Sequence, residues 1–134
     1  MMPYVLVALG GAIGSLARYA MTLLSVRLWG ITFPWGTVLI NVLGSFVIGF
    51  FAALTSIEGP LPAGPGLRVF VMVGICGGFT TFSSFSLQTL DLLRGADWLG
   101  AVLNIVLSVA FCLLAVTLGQ VMASRLGIGA ALGR

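Results

Sequence analysis

GICGGFTTFSSFSLQT, residues 74–89, is the stretch on which the fold turns. It opens as apolar as its neighbours, then sets Gly77 beside Gly78 and follows them with a dense run of hydroxyls. Glycine pairs and β-branched threonines weaken a helix, and Ser and Thr side chains offer the backbone competing hydrogen bonds. No charged side chain occurs anywhere in residues 69–90. Its solvent is therefore lipid, where irregular backbone is tolerated only if it lines a cavity or meets an ion. Breaking a helix at this depth frees carbonyls on one half and N–H groups on the other. The carbonyls suit a small hard cation such as Na⁺, and the N–H end suits an anion.

The rest of the chain agrees about the solvent. Of 134 residues, 60% are hydrophobic and 7% charged, against about 25% in a soluble domain. The charges are six Arg, Glu58, Asp91 and Asp97. A domain of this size cannot hide so much apolar surface from water. Residues 1–17, 28–57, 69–90 and 98–124 carry no charged side chain. Each is long enough to cross a 30 Å hydrocarbon layer as a helix of roughly 20 residues. Four helices are predicted, near 3–26, 36–57, 68–93 and 98–125, in one integral membrane domain over 1–134. EGPLPAGPG (58–66), with three prolines and three glycines, separates the second from the third. Trp29, Trp35 and Trp98 fall at span ends, where amphipathic rings favour the interface. The first span has no basic leader and runs on to Arg18, so a cleaved signal peptide is not expected.

Four spans put Arg68, Arg125 and Arg134 on one side of the membrane and Arg18, Arg27 and Arg94 on the other. The positive-inside rule needs an imbalance and finds none. Either the count is too small to orient the chain, or the chain inserts both ways up and opposed copies meet as an antiparallel C2 dimer. Gly10, Gly14, Gly44, Ser45, Gly49, Gly74 and Gly78 permit close helix contacts. In such a dimer two breaks would meet near the axis, and four carbonyls could hold one cation with no carboxylate. The alternative for residues 74–89 is a glycine-rich packing site whose hydroxyls bond back to the helix.

Polar side chains inside the spans cost free energy unless partnered. Asn41 stands in VLINVLGSF either to hydrogen-bond a neighbouring helix or to offer its amide N–H to an anion. Phe82 and Phe85 share a helix face, with Thr81, Ser84 and Gln88 as an adjacent polar stripe. A ring edge carries positive potential and can face an anion without holding it tightly. Asn104, Ser108 and Cys112 recur every fourth residue and could line the same route.

These residues resemble the CrcB/Fluc fluoride channels. The resemblance spans essentially the whole chain, through GGAIGSLARY (Gly10–Tyr19), GTVLINVLGSFVIG (Gly36–Gly49) and above all GGFTTFSSFS (Gly77–Ser86). It implies a dual-topology homodimer in the bacterial inner membrane, with two antiparallel fluoride pathways and a central structural Na⁺. The backbone carbonyls of Gly77 and Thr80 from both copies would hold that Na⁺. Asn41, Phe82 and Phe85 would line the fluoride path, with Ser108 in its polar track, and Arg18 would favour anions near a vestibule. Gln88 stands where many relatives are expected to carry Glu, and Asn104 where an aromatic such as Tyr is expected. Fluoride itself rests on this resemblance alone.

Other classes fit less well. Six scattered arginines form no basic patch for nucleic acid. His is absent, and Cys76 and Cys112 lie in apolar runs as packing residues, so acid–base catalysis and a Cys/His metal site have no support. There is no P-loop for ATP. A proton-coupled drug exporter needs a membrane-embedded acid, whereas Glu58, Asp91 and Asp97 sit in loops or at a span end. A non-transporting scaffold subunit would account for the glycines but not for the Gly-Gly-x-Thr-Thr break beside two phenylalanines.

Overall fold

The computed structural model describes the backbone of residues 1–132 and the side chains through Leu126. Its elements are α1 (Met2–Trp29), α2 (Trp35–Leu54), α3 (residues 65–79), α4 (Phe82–Arg94) and α5 (Trp98–Leu132). α3 and α4 are two halves of one span, so four helices are long and apolar enough to cross a membrane. Strands are absent among the described residues.

Local chemistry sets the ends of these helices. α2 stops at Leu54, three residues before the expected 57. The Thr55 hydroxyl donates back to the Phe51 carbonyl at 2.6 Å. The Arg68 guanidinium, from the start of α3, donates to the Ala52 carbonyl at 3.3 Å and to Thr55 Oγ1 at 2.8 Å. A cation on the last carbonyls of a helix satisfies acceptors that have lost their amides and opposes the negative end of the dipole. α3 begins at Pro65 rather than 68, because proline fits the first helical position, where no N–H is needed. α5 starts at Trp98 as expected, with Asp97 Oδ1 accepting from the Gly100 N–H at 2.8 Å.

Glycine governs how the spans pack. A Cβ on Gly10 would lie 2.9 Å from the Gly74 Cα, and one on Gly78 would lie 2.6 Å from the Gly11 carbonyl oxygen. A Cβ on Gly14 would overlap the Ile75 carbonyl oxygen. α1 and α3 therefore touch backbone to backbone. α2 and α5 do the same, with Gly49 against Val116 and Gly119 against Phe46 and Phe50. In lipid no hydrophobic force pulls helices together, so close packing of this kind has to supply the attraction.

The break in the third span opens at Thr80, two residues beyond the glycine pair that the sequence marks as weak. Gly77 is helical, at φ −64° and ψ −37°. The chain leaves the helix at Thr80 (φ −77°, ψ 159°) and Thr81 (φ −153°, ψ 111°). Gly78 is used for contact with α1, which holds the backbone helical there, while the threonine hydroxyls compete for the backbone just after it. Upstream, Val69–Cys76 winds as a π-helix, a rare form concentrated at functional sites.

Gly14→Ala should destabilise the folded protein by about 2 kcal/mol, because a backbone carbonyl must move to admit the methyl. Gly11→Ala, whose Cβ would meet nothing within 4 Å, should cost less than about 0.5 kcal/mol. Thermal unfolding in detergent micelles measures both, and equal losses would contradict this packing.

Candidate functional site

The break is held by one side chain. Asn41, on α2, accepts the Thr81 N–H through Oδ1 at 2.7 Å and donates to the Thr81 carbonyl through Nδ2 at 3.0 Å. Both polar groups of an extended residue at membrane depth are thus satisfied by a single amide. Of the two roles open to Asn41, the hydrogen bond to a neighbouring helix is formed. It leaves one Nδ2–H uncommitted, since an amide nitrogen carries two donors.

Thr81 then caps α4. Its Oγ1 accepts from the Ser84 N–H at 3.2 Å and donates to Ser84 Oγ at 3.0 Å, with Ser83 Oγ 3.3 Å away. On the other side, the Thr80 N–H and hydroxyl both donate to the Cys76 carbonyl at 2.9 Å. The break leaves carbonyls without their helical donors. In a continuous helix the Gly77 carbonyl would take the Thr81 N–H, which is committed to Asn41. The Thr80 carbonyl would take the Ser84 N–H, which is committed to Thr81 Oγ1. Gly77 and Thr80 therefore lose their helical donors, as do Gly78 and Phe79, which no bond joins to the Phe82 and Ser83 amides across the break.

A cleft of about 420 Å³ opens beside the break, between α2, the two halves of the third span and α5. Asn41, Gly77, Thr80, Thr81, Phe85 and Ser108 line it together with Phe82. The rings of Phe82 and Phe85 stand 5.2 Å apart and are tilted at 47°, midway between stacked and edge-to-face. Phe82 is 77% exposed and Phe85 only 9%. Phe85 is thus fixed in the wall, and Phe82 projects from the surface of the single chain.

Not every residue singled out in the sequence reaches this cleft. Ser84 is drawn to Thr81. Gln88 lines a separate cavity of about 420 Å³ with Ser25, Thr37, Asp91 and Asp97, and its Oε1 is buried without a partner. Thr81, Ser84 and Gln88 therefore do not form one track. Asn104 is fully buried between α4 and α5, donating to Thr89 Oγ1 at 2.8 Å. Ser108 Oγ, on the cleft, lies 3.5 Å from Asn104 Oδ1. Arg18 is half-buried on α1 and is not on the cleft. Thr89 went unremarked in the sequence, although its place two turns beyond Thr81 continues the hydroxyl stripe. No group of three His, Cys, Asp or Glu that could hold a metal occurs among the described residues.

Four spanning helices, one of them broken beside a lined cleft, define a multi-pass membrane protein. The chain belongs to the CrcB family, whose model, described as CrcB-like protein, Camphor Resistance (CrcB), matches residues 5–120. A relative from Opitutus terrae, "Fluoride-specific ion channel FluC", is 57% identical over 120 residues, covering 90% of this chain and 91% of the relative. A protein of the same name from Paramagnetospirillum magneticum is 57% identical over 124 residues, covering 92% and 97%. A third, from Methylobacterium radiotolerans, is 52% identical over 126 residues, covering 94% and 87%. These relatives are bacterial and are named as ion channels rather than enzymes, and with four spanning helices this chain is a multi-pass bacterial membrane protein.

Asn41→Leu would strand the Thr81 N–H and carbonyl in hydrocarbon, at about 1–3 kcal/mol each. It should therefore destabilise the protein more than Asn41→Asp, which keeps the acceptor for the Thr81 N–H. Denaturant titration in mixed micelles gives the order, and equal stability of both variants with wild type would contradict the clamp.

Proposed function

We propose that this chain is a fluoride-selective passive channel, assembled as an antiparallel homodimer with two pores and a central structural Na⁺. The observation that carries the reading is the cleft at the break. It combines a phenylalanine pair with hydroxyl and amide groups, in a chain whose relatives at 50% identity and above are named fluoride-specific channels.

Na⁺ fits the residues present. The carbonyls of Gly77 and Thr80 have lost their helical amides, and two copies related by a twofold axis would supply four such oxygens. Hard cations prefer oxygen ligands, and carbonyl dipoles are used as such in filters. When bound, Na⁺ supplies positive charge at the dimer axis and ties the two breaks together. The exposed apolar faces of the single chain, Gly77 among them, would then be covered by the partner or by lipid.

Along each pore the donors belong to this chain. A small, strongly hydrated anion can shed water only where replacement donors are already placed. The uncommitted Asn41 Nδ2–H and the Ser108 hydroxyl would contribute, alternating with the positive ring edges of Phe82 and Phe85. Ring edges attract weakly, which suits conduction, since an ion must leave as readily as it enters. Thr81, Ser84, Gln88 and Asn104 support or flank the path, and Arg18 would raise the local anion concentration. An inside-negative potential drives anions outward, so a passive pore lowers cytoplasmic fluoride.

Purified protein in liposomes, with a potassium ionophore to compensate charge, should release fluoride rapidly and chloride hardly at all. Phe82→Ile and Phe85→Ile should each slow fluoride release by about tenfold or more, about 1.4 kcal/mol on the barrier, with the dimer intact. Replacing Na⁺ with a larger cation should loosen the dimer or reduce release. A wild type that passes neither ion would contradict the reading, and unchanged release in both variants would remove the phenylalanines from the path.

A further inference from the structure

The short half-helix α4 is pinned at two places, and the second has no assigned role. At its N-terminal end Asn41 grips Thr81 from α2. Eight residues on, about 12 Å along the axis, Asn104 grips Thr89 from α5. Phe85 lies midway between the two grips.

The second grip passes directly to Phe85. The Asn104 Nδ2 donates to Thr89 Oγ1 at 2.8 Å, and that same hydroxyl donates to the Phe85 carbonyl at 2.8 Å. Asn104 is fully buried, and Thr89 and Phe85 are nearly so. A threonine hydroxyl has one proton, and here it is spent on Phe85, so only a lone pair faces α5. That forces the amide orientation: Nδ2 must point to Thr89 and Oδ1 must point the other way, toward Ser108. At 3.5 Å that acceptor is too far to hold the Ser108 hydroxyl firmly. The Ser108 proton is therefore directed inward at rest yet free to turn into the cleft that Ser108 and Phe85 share.

We propose that Thr89 and Asn104 are positioning residues for the conduction cleft. Together they set the register of α4 against α5, fix Phe85 in the wall, and keep Ser108 available as a donor to the passing anion. The assignment rests on the channel reading above, and it identifies Thr89 as a functional position. It also gives Asn104 a role that needs no contact with the ion. The chain Asn104–Thr89–Phe85 would transmit a lost hydroxyl at position 89 to the pore without any change in lining chemistry.

Thr89→Val removes the hydroxyl at nearly constant shape, and Thr89→Ser retains it. Reconstituted Thr89→Val should assemble as a dimer yet release fluoride about tenfold more slowly, with a lower fluoride-to-chloride ratio. Thr89→Ser should recover most of both. Thr89→Val combined with Asn104→Leu should be no worse than either alone, because each breaks the same link. A selectivity ratio that is unchanged in Thr89→Val, or equal losses in Thr89→Val and Thr89→Ser, would overturn the assignment while wild-type release upholds the channel. If wild-type vesicles release neither ion, the channel reading fails and this assignment fails with it.

Discussion

Asn41, reaching from α2 to the break in the third span, makes the contact on which the geometry of the cleft depends. Lipid supplies no hydrogen bonds, so a helix interrupted at mid-depth strands backbone groups at a cost in free energy for each. Asn41 meets that cost at Thr81 by offering an acceptor and a donor to one residue. The consequences follow the backbone outward. With Thr81 held by Asn41, its hydroxyl is free to cap α4, and with Ser84 capped, the carbonyls of Gly77 and Thr80 are released. An interaction that repairs a defect thereby creates an electronegative site. The same amide keeps one hydrogen for the cleft.

Around that point the helices use little apart from shape. α1 and α3 approach so closely that neither could carry a side chain at Gly10, Gly14, Gly74 or Gly78. This close contact gives the broken third span a backing on one side. On the other side lies the cleft, with Phe82 projecting from it. Exposed Gly77 and the projecting Phe82 lie on the surface that a second copy would cover in the proposed dimer.

Much of this was legible in the sequence because lipid makes composition informative. Gaps between charges located four spans, and the Gly-Gly-x-Thr-Thr run located the break to within three residues. What the sequence hid was which property of glycine would be used. Gly78 is there for its absent side chain and not for its flexibility, so the helix survives it and yields at the threonines. Faces were harder still. The polar stripe Thr81, Ser84 and Gln88 presumes one environment along α4, yet its first member faces α2 at the cleft while its last lines another cavity. Asn104 looked like a pore residue by its spacing from Ser108, but the spacing could not reveal that Thr89 sits opposite. The π-helical turn at Val69–Cys76 also rotates α3 in a way that 3.6-residue counting does not anticipate.

The central claim is that the cleft beside the clamped break conducts fluoride and rejects chloride. Current through purified protein in a planar bilayer, with a tenfold fluoride gradient and symmetrical chloride, measures this without mutation or label. The reversal potential should lie near fluoride's equilibrium value, about 59 mV from zero. A reversal potential near zero, set by chloride, would contradict it.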